Sequence, residues 1–273
     1  MYAVLFNHEA HANEIISRKK TQYECTAENA ASLTSDIQDD QRPNVLWAQY
    51  FDENSAPPSG GWSIAECPTW DAAYYCEYAH HCGAKIMGRP ESMGFNVSYG
   101  GPEVYWYLSD EEFAEFGKDA EHWIYAGPTF DDDYNLKKDL LDQFKSVQNK
   151  QVFDTQGQGP YAWYEQRLAE YDVVALDFCS IVGTASPFYI HERRWFRNIY
   201  TDAIGTQGTC DGDEMNLAYE PEDAKCAPFN IDGSGSSTGE EPAPSPTEVT
   251  NLASTTFMST VVVAVGVVST LMA

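Results

Sequence analysis

Helical and strand-like spacings of apolar residues alternate along the first part of the chain. Asn7–Lys20 carries its apolar residues at helical intervals, whereas Val45–Phe51 is a short run of strand-forming residues. Asp71–Cys82 again has a helical pattern, and Gly83 follows it as a residue favoured just beyond a helix end. The pattern therefore predicts a helix, a strand and a second helix in chain order.

A third helix and a second strand follow. Ser109 and Glu112 have the spacing of a capping box, in which each side chain accepts a hydrogen bond from the other residue's backbone N–H at a helix start. Gly117 is a natural end for that helix, and His122–Tyr125 then has the composition of a strand.

The alternation continues through the next segments. Asn135–Ser146 places its leucine and phenylalanine residues on one helical face, Gln151–Phe153 predicts a brief strand, and Pro160 can open another helix. Val173–Val182 has the local propensity of a strand. Alternating strands and helices predict an α/β lobe of three layers, with helices covering both faces of a mainly parallel sheet.

The composition changes near the C-terminus. Ile231–Glu248 is rich in Ser, Gly, Glu and Pro, which predicts a flexible stalk because such a segment has too little apolar surface to fold. Leu252–Ala273 has no charged residue and predicts a membrane anchor. The small residues of Ser234–Thr238, a polar spacer and a terminal apolar tail favour a cleaved GPI signal, and a transmembrane helix stays open as the alternative.

Charge and the predicted anchor together indicate the outer face of a plasma membrane. Sixteen basic and forty-two acidic residues give a formal net charge of −26, which disfavours nucleic acid as a ligand. Met1–Phe6 is too short an apolar run for a secretory signal. We therefore hypothesise that an upstream signal and part of a domain precede residue 1.

The seven cysteines indicate an oxidising compartment. Cys210 and Cys226 bracket an acidic, loop-like stretch, and we expect them to pair. A second bridge is expected within the cluster that contains Cys67 and Cys76, and Cys25 and Cys179 stay unassigned. The segment 76–82 also has zinc-ligand residue types, but it lacks a second ligand pair, which favours a disulfide.

Local sequence motifs of common enzymes are absent. The chain has no nucleophile elbow, phosphate loop, dinucleotide fingerprint or zinc-protease motif, so we expect no enzyme activity and no cofactor. The loops after the predicted strands are the best binding candidates, because ligands of open α/β sheets bind there. These loops supply the expected ligand-binding residues Trp62, Thr129, Asp131, Trp163 and Arg167. Asn96 begins the glycosylation sequon of the chain.

The order of segments resembles the solute-binding proteins of bacterial iron-siderophore, haem and cobalamin import, whose two α/β lobes are joined by one long helix. Residues 5–16 are similar to the end of the first lobe and the start of that helix. Residues 42–47 are similar to the first strand of the second lobe, and residues 144–153 to the end of its third helix. Residues 163–174 are also similar to cell-surface proteins of eukaryotic algae.

The resemblance implies four parts. They are an interlobe helix with its linker at 1–40, a solute-binding α/β lobe at 41–230, the stalk at 231–251 and the anchor or GPI signal at 252–273. The resemblance also implies that residues 173–182 form a helix, and Asp172 can cap the start of that helix. The cysteines and the apolar tail depart from the bacterial proteins, and most of a first lobe is missing.

The function implied by the resemblance is that of an extracellular, membrane-tethered solute-binding protein. Its small-molecule ligand would be a metal chelate of the siderophore type, such as a ferric chelate, and a membrane transporter would be its uptake partner. Two other functions stay open. The chain could be an acidic adhesion protein that meets cationic partners without a small ligand, or a surface enzyme that uses buried carboxylates.

Overall fold

The computed structural model describes residues 9–53, 60–90, 105–186, 190–207 and 222–229. The predictions for Asn96, Cys210, the stalk at 231–251 and the tail at 252–273 fall outside this part of the chain. Within it, no helix combines the length and the apolar character that crossing a membrane requires.

Seven strands of the described residues form one sheet, in which β3, β1, β5 and β6 run parallel. The second half of β1 pairs antiparallel with β2, and β2 pairs antiparallel with β4. At the other side of the sheet, β7 pairs antiparallel with β6. The predicted α/β class with a mainly parallel central sheet is confirmed. The strand bounds are β1 Asn44–Phe51, β2 Gly61–Ala65, β3 Lys85–Ile86, β4 Tyr105–Leu108, β5 His122–Tyr125, β6 Val152–Asp154 and β7 Arg197–Asn198.

The helices of the described residues alternate with these strands. Their bounds are α1 Glu9–Thr34, α2 Tyr74–His81, α3 Asp110–Gly117, α4 Phe130–Leu136, α5 Lys138–Leu141, α6 Lys145–Gln148, α7 Ala162–Glu165 and α8 Tyr171–Ile181, with 3₁₀ turns at Asp39–Gln41 and Arg167–Glu170. The predicted long N-terminal helix is confirmed as α1, which runs for 26 residues.

Alternate residues along the strands enter two separate cores. Val45 and Trp47 of β1 pack on one face of the sheet with residues of α1, α2 and α8. Leu46 and Ala48 pack on the other face with residues of α3 to α6. Because side chains alternate along a strand, helices on both faces give the three layers expected from the sequence.

Local signals predicted some helix bounds and missed others. The capping box is present, with Ser109 accepting the N–H of Glu112 and the reciprocal bond formed. The prediction of one helix over Asn135–Ser146 is wrong, since α4, α5 and α6 divide this region. Phe144 has an extended backbone, with φ −76° and ψ 132°, and its ring is fully buried. Turning that ring into the core interrupts the helix.

The segment 173–182 is helical, as the resemblance implies. Nearly every side chain of α8 is buried, so tertiary packing outweighs the strand propensity of its valines. The prediction that Asp172 caps this helix is wrong. Glu170 is the residue before the first turn and forms no side-chain cap, whereas Asp172 accepts the N–H of Ala224 at 2.9 Å and pairs with Lys19 at 3.2 Å.

Three disulfides join the described cysteines. The bridge expected within the first cluster is present between Cys67 and Cys76. The predicted pairing of Cys210 with Cys226 is wrong, because Cys226 bonds to Cys25 of α1, 201 positions away. The third bridge joins Cys82 to Cys179 and is completely buried between α2 and α8.

Candidate functional site

A pocket of about 240 Å³, here called the aromatic pocket, lies at the carboxyl ends of β1 and β5. Gln49 and Phe51 enter it from the end of β1, and Ala126 enters it directly after β5. This is the edge at which open α/β sheets bind ligands. Tryptophan and tyrosine side chains form most of its wall, namely Trp47, Tyr74, Tyr105, Tyr107, Trp163 and Tyr164.

Arg167 lies against this wall. Its guanidinium carbon is 4.4 Å from the ring centre of Tyr74 and 5.1 Å from that of Trp163, and its Nη1 donates to the Trp163 carbonyl at 2.8 Å. Contact with both rings, whose own centres are 6.2 Å apart, restricts the orientation of the planar cation. Arg167 is not itself a lining residue, but it holds a positive charge beside two rings of the pocket wall.

The charge of Arg167 is unusual in this chain. Acidic residues outnumber basic ones by 42 to 16, and most Lys and Arg side chains pair with a carboxylate. Arg167 forms no ion pair with any carboxylate of the described residues. A cation left unpaired in a chain of net charge −26 is available for an anionic ligand.

Two buried donors beside the pocket also lack partners. Nε of Arg167 and Nε1 of Trp47 have no hydrogen-bond partner among the described residues. Burial raises the pKa of Tyr74 to about 12 and also raises the pKa of Tyr105 and of Tyr164. These phenols therefore stay protonated at neutral pH, and no tyrosinate cancels the charge of Arg167.

A buried carboxylate supports the wall of the aromatic pocket from behind. Trp163 packs against Trp195 and Phe196, with ring centres 6.3 and 5.1 Å apart. Asp177 of α8 accepts the backbone N–H groups of Arg194, Trp195 and Phe196 at 3.0, 2.6 and 3.1 Å. One carboxylate thus fixes the segment whose rings hold Trp163 in place.

The structure brings together two of the five predicted ligand-binding residues. Trp163 lines the aromatic pocket, and the guanidinium of Arg167 lies over the Trp163 ring. Trp62 lies elsewhere, because it is the second residue of β2 and is fully buried on the opposite face of the sheet. There it stacks on Phe113 with ring centres 3.9 Å apart.

Thr129 and Asp131 also lie outside the lining of the aromatic pocket. The hydroxyl of Thr129 donates to Asp133 at 2.7 Å, and Tyr125 shares that carboxylate. Asp131 is exposed in the first turn of α4. Their positions at the start of α4 stabilise that helix locally.

Sequence reasoning missed four residues of the wall, namely Trp47, Tyr74, Tyr105 and Tyr107. The alternation along β4 offered one signal, since Tyr105 and Tyr107 share a face of that strand. Trp47 gave no such signal, because its position in the middle of an apolar strand is also typical of a core residue.

Metal ligands are not gathered in the described residues, which hold no group of three His, Cys, Asp or Glu side chains arranged to bind a metal ion. The zinc alternative for the segment 76–82 is contradicted. Cys76 and Cys82 are both bound in disulfides and have no thiolate to offer.

A larger cavity of about 430 Å³ lies beside His191 and Arg194. Its charged groups are already engaged with protein partners. His191 bonds to Asp177 at 2.6 Å, and Arg194 pairs with Glu170 at 2.8 Å. The aromatic pocket is the better candidate, because Arg167 beside its wall pairs with no carboxylate of the described residues.

No protein-family model matches the chain, and no curated protein matches it. Several solved structures are similar to it. An ABC transporter solute-binding protein from Sulfurospirillum deleyianum has 19% identity and a TM-score of 0.46 over 69% of this chain and 51% of its own. The siderophore periplasmic binding protein of the fuscachelin gene cluster of Thermobifida fusca has 15% identity and a TM-score of 0.43 over 67% and 57% of the two chains.

The siderophore-binding protein FhuD from Vibrio cholerae, solved with Fe³⁺-Desferal, has 15% identity and a TM-score of 0.41 over 68% of this chain and 59% of its own. The chain thus spans between half and three-fifths of the length of these proteins. At such identities the likeness concerns the fold alone.

Proposed function

We propose that this chain is the ligand-binding lobe of a solute-binding protein, and that the aromatic pocket receives a planar anionic group of a small ligand. The observation that carries the proposal is Arg167, whose guanidinium lies over two rings of the pocket wall and pairs with no carboxylate of the described residues, in a strongly acidic chain. An anionic ligand would supply that partner, and aromatic walls would supply contact area on both sides of it.

The size of the pocket limits what it can hold. Its volume of about 240 Å³ is below the roughly 300–1,000 Å³ of pockets that enclose a whole drug-sized ligand. A ligand such as a ferric chelate would therefore insert one arm and leave its remainder outside. We propose a metal chelate bound in this way by a protein that the C-terminal tail tethers to the outer face of a plasma membrane, with a transporter completing uptake.

The test is a titration of the full chain, in a Trp70→Phe background, with the anionic gallium complexes of 2,3-dihydroxybenzoate. Gallium avoids the quenching caused by iron, and the substitution removes the one exposed tryptophan. We expect saturable changes in the emission of the buried tryptophans, since Trp47 and Trp163 line the pocket. Calorimetry of the same complexes gives the dissociation constants.

Two matched pairs of variants locate the binding. Arg167→Gln is expected to weaken binding by roughly 10- to 100-fold, because one hydrogen bond to a charged group contributes about that factor to a dissociation constant. Lys20→Gln removes the same charge from an exposed position on α1 and should have no effect. Tyr164→Ala removes a wall of the pocket, whereas Tyr161→Ala removes a nearby exposed tyrosine outside it. Absence of saturable binding, or equal affinities for Arg167→Gln and Lys20→Gln, would refute the proposal.

A further inference from the structure

Trp70 differs from every other tryptophan in the chain. Six of the seven tryptophans are fully buried, whereas 52% of the Trp70 side chain is exposed. Its ring lies against the imidazole of His80, with ring centres 5.2 Å apart and planes inclined by 32°, and is 6.0 Å from that of His81. Ring contact on one side leaves part of the indole surface open to solvent.

The loop that carries Trp70 is held rigid. The disulfide between Cys67 and Cys76 closes it across 9 positions. Inside the loop, Thr69 donates its hydroxyl to Asp71 at 2.8 Å, and the N–H of Ala72 donates to the Thr69 carbonyl at 3.3 Å. An exposed tryptophan on a closed loop is preorganised for binding, because little freedom remains to be lost.

Two open clefts lie on either side of His80. One has a volume of about 330 Å³ and includes Trp70 and Thr69, and the other has a volume of about 430 Å³ and includes His81. Arg42 and His80 line both clefts, so the two form one continuous surface, here called the Trp70 surface. All of its lining residues belong to the described part of the chain.

Most exposed side chains of the Trp70 surface are polar. Arg42 and Lys85 share Asp39 at the long distances of 3.7 and 3.9 Å, which leaves their donors available to a ligand. Hydroxyl and carboxylate acceptors complete the lining, from Thr34, Ser35, Thr69 and Glu28. Donors and acceptors are thus both present on the surface that carries one exposed aromatic ring.

The Trp70 surface is separate from the aromatic pocket. Lys85 belongs to β3, which pairs with Asn44 and Val45 at the amino end of β1. The aromatic pocket includes Gln49 and Phe51 at the carboxyl end of the same strand. The two features therefore occupy opposite edges of the sheet and can be tested independently.

We infer that the Trp70 surface binds carbohydrate, with the indole stacking on a pyranose ring and the clefts receiving the neighbouring sugars. A pyranose has an apolar face for the ring and a rim of hydroxyls that both donate and accept hydrogen bonds. A protein partner would instead need a desolvated apolar core beside the tryptophan. The mixed polar lining around Trp70 matches the sugar, and binding here does not depend on the function of the aromatic pocket.

The experiment titrates the full chain with cellohexaose and mannohexaose as neutral chains and with hexaguluronate as an acidic chain. Since the other six tryptophans are buried, the emission accessible to acrylamide comes from Trp70. We expect at least one sugar chain to shift that emission to the blue and protect it from quenching, with a calorimetric affinity to match. Preference for hexaguluronate would show that Arg42 or Lys85 pairs with a sugar carboxylate, and preference for a neutral chain would show hydroxyl recognition.

Variants connect the binding to the ring. Trp70→Ala is expected to weaken binding roughly tenfold, whereas Trp70→Phe keeps a stacking ring and should retain most of the affinity. Arg167→Gln should leave sugar binding unchanged. Unaltered unfolding midpoints would show that these exposed substitutions preserve the fold. The inference is overturned if none of the three sugars binds saturably, or if Trp70→Ala binds as tightly as the unmodified chain.

Discussion

Asp177 is expected to hold together the wall behind the aromatic pocket. Its carboxylate is fully buried, and a single oxygen accepts three backbone N–H groups from the segment Arg194–Phe196. The other oxygen bonds to His191 at 2.6 Å. Replacing Asp177 with Ala removes both acceptors and leaves three donors of a buried segment without partners.

The size of the effect follows from those bonds. An unsatisfied buried donor costs about 1–3 kcal/mol, so three of them set a lower bound of about 3 kcal/mol for Asp177→Ala. The lost bond to His191 adds to this, and we expect a fall of about 4 kcal/mol in the free energy of unfolding. Asp177→Asn keeps one carbonyl oxygen for the three donors, so we expect only about half of that loss.

Urea unfolding, followed by tryptophan emission and by circular dichroism, measures these differences. Glu192→Gln is the matched control, because that carboxylate lies two residues before the same segment and is exposed. We expect it to cost less than about 1 kcal/mol. The amides of residues 194–196 should also exchange hydrogen faster in Asp177→Ala than in the unmodified chain, under conditions in which both proteins stay folded. A loss below about 1 kcal/mol in Asp177→Ala, with exchange at these amides unchanged, would refute the reasoning.

Two further predictions concern other buried ionisable groups. Lys19→Met should lower the free energy of unfolding by about 3–5 kcal/mol in urea melts, because Asp172 then stays buried without its cation. The double variant Lys19→Met/Asp172→Asn should recover part of that loss. If the losses of the two single variants instead add up in the double variant, the pairing of Lys19 with Asp172 is contradicted. His122→Gln should flatten the fall in stability between pH 7 and pH 5. Burial lowers the pKa of His122 below 6.5, so the unfolded chain takes up a proton that the folded chain resists, and stability declines as the pH falls. An equal pH slope in both proteins would contradict this reasoning.

Spacing along the chain predicted the architecture because architecture depends on local patterns. The strand β1, the capping box at Ser109 and the end of α2 before Gly83 follow from residues within one turn or one strand. Gly83 has φ +67°, a left-handed conformation in which a side chain would also collide with Thr34. Such signals are visible without knowledge of the fold.

Distant pairings could not be predicted in the same way. Cys226 was expected to join Cys210, its nearest neighbour in sequence, yet it bonds to Cys25 on α1. Asp172 was expected to cap its own helix, yet its partners are Lys19 and the N–H of Ala224. In each case the decisive contact comes from a segment far along the chain, which local spacing does not encode.

The candidate site shows the same division. Trp163 and Arg167 are four positions apart, so one turn of chain brings them together, and the sequence predicted both as ligand-binding residues. Trp62 was expected in a loop after β1. The chain instead returns at Gly61 as an antiparallel strand, which turns the Trp62 ring into the opposite core. The direction of that return depends on sheet pairing, and the sequence pattern does not specify it.

Charge separates the proposed function from the adhesion alternative. A net charge of −26 repels an anionic chelate at long range, while Arg167 attracts it only at contact distance. Added salt screens the long-range repulsion over a Debye length of about 10 Å at 0.1 M, and acts less on a cation packed against two rings. Capture of an anionic ligand should therefore persist or strengthen as salt rises, whereas adhesion of the acidic surface to a cationic partner should collapse. The sign of the salt dependence thus reports whether Arg167 or the acidic surface governs binding.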